Sequence, residues 1–207
     1  MKKLILLTIT ALLFSAQACS VELWEEGKHY NVISEQATDK PEILEFFSYW
    51  CPHCYNFEPL VAQIKQKMSD DVTFKKVHVN FMRFTSADVQ DEATKALMIA
   101  RFLDKEEEMN QAIFRNIHVQ RAPVTGLKDL TNLFIVNGID AAKVEKAAKS
   151  FSINSQLKKN NQLVKEYRRH VSGVPNFIVN GKYQAQFTKD MTSDDIVDLI
   201  VWLSEQK

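Results

Sequence analysis

Cysteine is scarce in this chain of 207 residues, occurring three times, at Cys19, Cys51 and Cys54. So few thiols exclude a small scaffold stapled by disulfides. No second CxxC and no His pair at finger spacing follows Cys51 and Cys54 to complete a structural zinc site. Neither sign of charge is in excess, with 26 lysines and arginines against 26 aspartates and glutamates. That balance carries no signature of nucleic-acid binding. Internal repeats and low-complexity stretches are missing, and Gly and Pro occur only five times each. No apolar run approaches the roughly 20 residues of a spanning helix.

The most apolar run comes first. Lys2 and Lys3 precede Leu4 to Phe14, broken only by Thr8 and Thr10, and Ala16-Gln17-Ala18 follows. A short basic segment, an apolar stretch and small residues at a cleavage site make residues 1–18 a secretory signal peptide. Cleavage after Ala18 leaves a slightly acidic chain that begins with Cys19, as a free or an acylated thiol. Ala16 stands where a lipoprotein signal carries a longer apolar residue, which argues for the free thiol. The remaining length suits one domain, or one domain with a large insertion.

Hydrophobic spacing orders that domain. Tyr30 to Ile33 reads as a short edge strand and Ile43 to Tyr49 as a central, mostly apolar one. A helix is expected from Cys51-Pro52, because proline is tolerated in a first turn. Val72 to Val79 is the next strand. Helices are then expected from Ser86 (a cap), over Glu106–Ile117, Leu127–Val136 and Ala141–Phe151, and over Ile153–His170. Asn180-Gly181 joins two strands, Phe177–Val179 and Tyr183–Phe187, as a hairpin, and Thr192 or Ser193 caps a last helix. The order strand–helix–strand, helices, hairpin, helix places the class as α/β, with a helical block set into it.

Cys51-Pro52-His53-Cys54 stands at the junction of the central strand and its helix. One helical turn brings two such cysteines within disulfide reach. The first sulfur then lies near unpaired backbone amides, whose field favours thiolate, and His53 adds charge or a hydrogen bond. Stabilising the thiolate stabilises the reduced form, so the disulfide oxidises more strongly. Cys51 is expected to be exposed and Cys54 buried behind it. A structural disulfide is the plainer alternative, and half of a zinc site a weaker one. Glu45, inside the apolar strand, and Lys76, in its partner, are either a buried pair that moves protons and tunes the thiols or side chains reaching solvent at the sheet edge. Pro175, after Val174, is either the start of an edge strand or a cis residue that presents backbone to the disulfide. His78 and His118, far apart in sequence, are expected to be structural.

Leu44-Glu45-Phe46-Phe47-Ser48 leading to Cys51-Pro52-His53-Cys54-Tyr55, then His78-Val79-Asn80-Phe81, then Gly173-Val174-Pro175 before Phe177-Ile178-Val179-Asn180-Gly181-Lys182-Tyr183, resemble the DsbA family of bacterial periplasmic thiol:disulfide oxidoreductases. The order and spacing cover nearly all of the chain after the signal, the helical middle matching in kind more than in residues. The resemblance implies a thioredoxin fold with an inserted helical domain: residues 19–85 and 153–207 for the thioredoxin fold, 86–152 for the insertion. It implies that Cys51 is the nucleophile, Cys54 its buried partner and His53 the group steadying the Cys51 thiolate. Pro52 and Lys76 support the site, and Glu45 pairs with Lys76. Pro175 is implied to be the family's cis proline, and Val174 to offer backbone hydrogen bonds to an extended substrate. The expected activity is disulfide donation in the periplasm, with no cofactor, to secreted proteins that carry free cysteines. The expected reoxidant is the quinone-linked inner-membrane protein DsbB, and the chain is expected to be monomeric, since no dimerisation segment is visible. Asn176, after the proline, departs from the small apolar residue anticipated there, and Phe187 is expected near the groove for partners.

Overall fold

The apolar residues of Glu42–Phe47 leave both faces of that strand hydrophobic, so it has to lie inside a covered sheet. The computed structural model, which describes residues 23–206, places it there. The expected signal peptide, residues 1–18, and Cys19 lie outside the described residues. The elements are β1 (Tyr30–Val32), β2 (Glu42–Phe47), α1 (Pro52–Lys67), β3 (Thr73–His78), α2 (Ala87–Phe102), α3 (Glu106–His118), α4 (Leu127–Val136), α5 (Ala141–Ala148), α6 (Phe151–Tyr167), β4 (Asn176–Val179), β5 (Tyr183–Ala185) and α7 (Ser193–Glu205). The five strands lie in the order β1-β5-β4-β2-β3. β2 runs parallel to β3, which α1 connects to it, and antiparallel to β4. This is a thioredoxin-like α/β sheet with helices inserted between β3 and β4.

Alternation along β2 sorts its side chains. Ile43 packs with Ile64 of α1 and with Val197 and Ile200 of α7. Leu44 and Phe46 point to the other face, against Val164 and Tyr167 of α6. A third cluster fills the helical layer, where Leu97, Ile99, Ile113, Phe114, Leu130 and Phe134 meet. Phe47, Tyr49, Cys51 and Cys54 belong to that third cluster. The cysteines therefore sit where the carboxyl end of the central strand meets the inserted helices.

Local chemistry explains most boundaries. Ser86 Oγ accepts the Val89 amide and caps α2. Thr192 and Asp195 form a reciprocal capping box on α7. Asn180 and Gly181 both take positive φ, 53° and 63°, as a tight hairpin turn requires. The boundaries of α5 and α6 differ from the sequence expectation. α5 ends at Ala148 instead of running to Phe151, and α6 begins at Phe151 and ends at Tyr167. The break between the two helices comes from Ser150, whose hydroxyl accepts the Ser152 amide and starts a new helix. Phe151 is left 85% exposed by that break.

Candidate active site

β2 ends in a β-turn in which the Cys51 amide donates to the Ser48 carbonyl at 3.0 Å. The turn delivers Cys51 as the N-cap of α1, with Pro52 in the first helical position. Cys51 Sγ accepts the Cys54 amide at 3.3 Å. Both cysteines are free thiols. The Cys51 thiol is brought down to about 6: the Cys54 thiol donates to it first of all, backbone amides of Cys54 and His53 add to this, and the His53 charge contributes, all against the cost of burial. Burial drives the Cys54 thiol the other way, well above the ordinary cysteine range, and its hydrogen bond with Cys51 adds to the rise. The pair is thus divided into one easily ionised sulfur and one that holds its proton.

One expectation is corrected. Cys51 is not openly exposed: only 3% of its surface meets solvent, against 0% for Cys54. The cover comes from the loop before β4. The Val174–Pro175 bond is cis, and Cys51 Sγ lies 3.4 Å from the Val174 carbonyl oxygen. Val174 and Trp50 pack at the rim of the same cluster. His53 and Pro52 face solvent on the first turn of α1. Asn176 begins β4, where its side-chain oxygen accepts from Gln184. Phe187 stacks on Phe57 at 5.8 Å and lies beside Phe177.

Glu45 and Lys76 are directly paired residues on β2 and β3, and their side chains meet inside the protein rather than at the sheet edge. Lys76 Nζ donates to Glu45 Oε2 at 2.5 Å and to Glu58 Oε1 at 2.7 Å. Glu58, on α1, was not singled out in the sequence, although its place one helical turn after Cys54 was the available signal. One ammonium thus faces two carboxylates. Burial raises the Glu45 pKa, Lys76 opposes this, and the Glu58 charge reinforces it. The two acids hold Lys76 in its charged form against its own burial. Glu45 Oε1 is buried and accepts no hydrogen bond among the described residues. A cavity of about 470 Å³ between α1 and α3 is lined by Glu58, Lys76, Asn110 and Phe114, and opens this cluster to solvent.

Tyr49 was also missed. Its amide donates to His78 Nε2 at 3.2 Å, its carbonyl accepts from His118 Nε2 at 2.8 Å, and its hydroxyl donates to Asn110 Oδ1. His78 is fully buried between Phe47, Tyr49 and Trp50, and burial takes its pKa down to about 3. Because Nε2 accepts, Nδ1 carries the proton and donates to Thr94 Oγ1 at 2.9 Å. His78 is therefore a neutral structural residue, as its isolation in sequence suggested.

The lowered Cys51 pKa makes a prediction about stability. In the reduced unfolded chain Cys51 ionises near its ordinary value of 9.0, and in the fold near 6. A depressed folded pKa contributes stability above the unfolded value and loses it as pH falls through the folded one. The disulfide form has no such group. The reduced form should gain on the oxidised form as pH rises from 6 to 9, by up to about 4 kcal/mol at 1.36 kcal/mol per unit. Denaturant titrations of both forms across that range measure the gap. A gap that does not change with pH would remove the thiolate as its source.

Among the described residues, no group of three or more His, Cys, Asp or Glu side chains is placed to hold a metal ion. The chemistry available at this site is that of two thiols, a partial positive helix end, a buried acid and a backbone carbonyl beside the Cys51 sulfur.

The profile of the DSBA-like thioredoxin domain matches residues 42–196. The thiol:disulfide interchange protein DsbA of Haemophilus influenzae is 32% identical over 188 residues, covering 89% of this chain and 87% of that protein. The protein of the same name from Escherichia coli is 31% identical over 205 residues, covering 95% and 94%. A structure of Proteus mirabilis DsbA with a non-covalently bound peptide, PWATCDS, superposes with a TM-score of 0.76 at 24% identity, over 88% of this chain and 99% of that one. With its CxxC pair at the strand-to-helix junction and this similarity along nearly its whole length, the chain belongs to the DsbA family of thiol:disulfide interchange proteins.

Proposed function

We propose that the protein is a periplasmic dithiol oxidase that donates a Cys51–Cys54 disulfide to newly exported proteins. The observation that carries this reading is the Cys51 sulfur at the start of α1, ionising near pH 6 under the Cys54 thiol and the first amides of the helix. Whatever steadies that thiolate favours the reduced protein and makes its disulfide a stronger oxidant. The family relationship and the secretory character of residues 1–18 support the location.

The cycle runs as follows. A substrate thiolate attacks Sγ of Cys51 in the disulfide form, a substrate–Cys51 disulfide forms, and Cys54 leaves as a thiolate. Cys54 then takes a proton, which its raised pKa favours. Glu45, whose pKa burial raises, is the nearby carboxyl that can take up a proton from solvent through the Glu58 side of the cluster and pass it on. The second substrate thiolate attacks the substrate sulfur of the mixed disulfide, and Cys51 departs as the stabilised thiolate. Two electrons and the Cys54 proton stay with the protein. A membrane partner of the DsbB type removes the electrons. Val174 and Pro175 present backbone beside Cys51, where an extended peptide can pair with it. The cysteine-containing peptide bound by the Proteus relative is in keeping with a substrate of that kind.

The test is the reduction potential of residues 19–207 against glutathione, with Cys19→Ser to leave one redox pair and Trp50 fluorescence as the probe. A midpoint well above about −180 mV is expected, and one near or below about −250 mV would make the protein a reductant.

A further inference from the structure

The turn before Cys51 is held in an unusual way. Ser48 and Cys51 close it, so Tyr49 and Trp50 occupy its centre and the Tyr49–Trp50 peptide is its middle unit. In β-turns this middle peptide is the part that rotates, since types I and II differ mainly in which side its carbonyl faces. Here both of its polar ends are tied. The Tyr49 carbonyl accepts from His118 Nε2 at 2.8 Å, and the Trp50 amide donates to Ser48 Oγ at 3.3 Å. The Tyr49 amide and hydroxyl are bound as well, by His78 and Asn110. His118 and Asn110 both lie on α3, in the inserted helices, 69 and 61 residues from Tyr49. The His118 ring also stacks on Tyr55, the residue after Cys54, at 5.3 Å and 6°. His118 therefore touches the turn on the amino side of the cysteine pair and the helix on its carboxyl side.

We infer that His118 is a positioning residue for disulfide exchange: its Nε2–H fixes the Tyr49–Trp50 peptide, and through it the aim of the Cys51 sulfur at the first amides of α1. The inference rests on Cys51 being the sulfur that exchanges with substrate and adds a control over it by the inserted helices. The carbonyl can only accept, so the ring nitrogen facing it carries the proton. Losing the donor releases the middle peptide to sample both orientations. Cys51 then spends less time in register with the Cys54 amide, and the thiolate is less well stabilised.

Two substitutions separate the donor from the ring. His118→Phe keeps an aromatic surface for Tyr55 and removes the hydrogen bond. His118→Gln keeps a donor on a side chain of similar reach. Each is compared with the wild-type protein in Cys51 thiolate absorbance against pH and in equilibrium with glutathione. His118→Phe is expected to raise the Cys51 pKa and to weaken the disulfide as an oxidant about fivefold, the worth of about one hydrogen bond. For a two-electron couple that is about 20 mV toward more negative potential. His118→Gln should recover most of both. Wild-type values in His118→Phe, or equal shifts in the two variants, would overturn the inference. If His118→Phe does not fold, nuclear magnetic resonance of the wild-type protein decides it: an Nε2 proton on His118 protected from exchange supports the clamp, and its absence refutes it. The wild-type potential alone tests the oxidase reading, and the differences among variants test this one.

Discussion

Cys54→Ala should leave partner proteins covalently attached to Cys51, and Cys51→Ser should reduce disulfide transfer to the uncatalysed background. The two cysteines are not equivalent in this fold. Cys51 ionises near pH 6 at the helix start, whereas Cys54 is sealed beneath it and keeps its proton. In the Cys54→Ala protein, the Cys51 thiolate attacks a partner disulfide, one mixed disulfide forms, and one partner thiolate leaves. The thiol that would break that bond from inside is gone. Non-reducing electrophoresis followed by peptide mapping reads the result. Adducts mapping to Cys19, or trapping by Cys51→Ser through Cys54, would reverse the assignment of roles.

Lys76→Met should cost about 3–5 kcal/mol, the usual consequence of stripping a buried charge of its partner. For a chain of this size that lowers the melting temperature by roughly 6–20 °C. Lys76 is 1% and Glu45 0% exposed at their side chains, so neither is able to hydrate where it stands. Glu58 is 21% exposed and turns toward water more easily. The damage in Lys76→Met therefore falls on Glu45, and adding Glu45→Leu should restore most of the lost stability. Thermal unfolding of the single and double variants measures both. A loss under about 1 kcal/mol in Lys76→Met would show that Glu45 already carries a proton at rest. That outcome would leave it ready as an acid for Cys54 but not as a base.

How far this site was legible in the sequence depended on distance along the chain. Cys51-Pro52-His53-Cys54 was readable because strand, turn, proline and helix follow one another without a gap. The Asn180-Gly181 hairpin and the Ser86 and Thr192 caps were readable for the same reason, each being settled by neighbours within a few residues. Glu45 and Lys76 stood out as charges in apolar strands, but sequence left open which way their side chains pointed. Parallel register between β2 and β3 decided it. The clamp on Tyr49 leaves no local trace. Its partners come from β3 and α3, and no periodicity relates a tyrosine amide to a histidine 29 residues later. The burial of Cys51 was hidden for a like reason, since its cover arrives from the other end of the chain. The α5–α6 boundary failed differently. Ser150 sits inside a pattern whose helical spacing continues on both sides, and a single hydroxyl outweighs it.

That distant cover has a consequence for the order of events in the cell. Val174 follows Cys51 by 123 positions. At synthesis rates of 5–20 residues per second, about 6–25 s pass after the thiols are made before the loop that shelters Cys51 exists. The antiparallel partner of β2 is made later still. For that interval the two thiols of each new molecule lack the cover they have in the fold. A thiol:disulfide interchange protein thus begins life as an unprotected candidate for the exchange it performs.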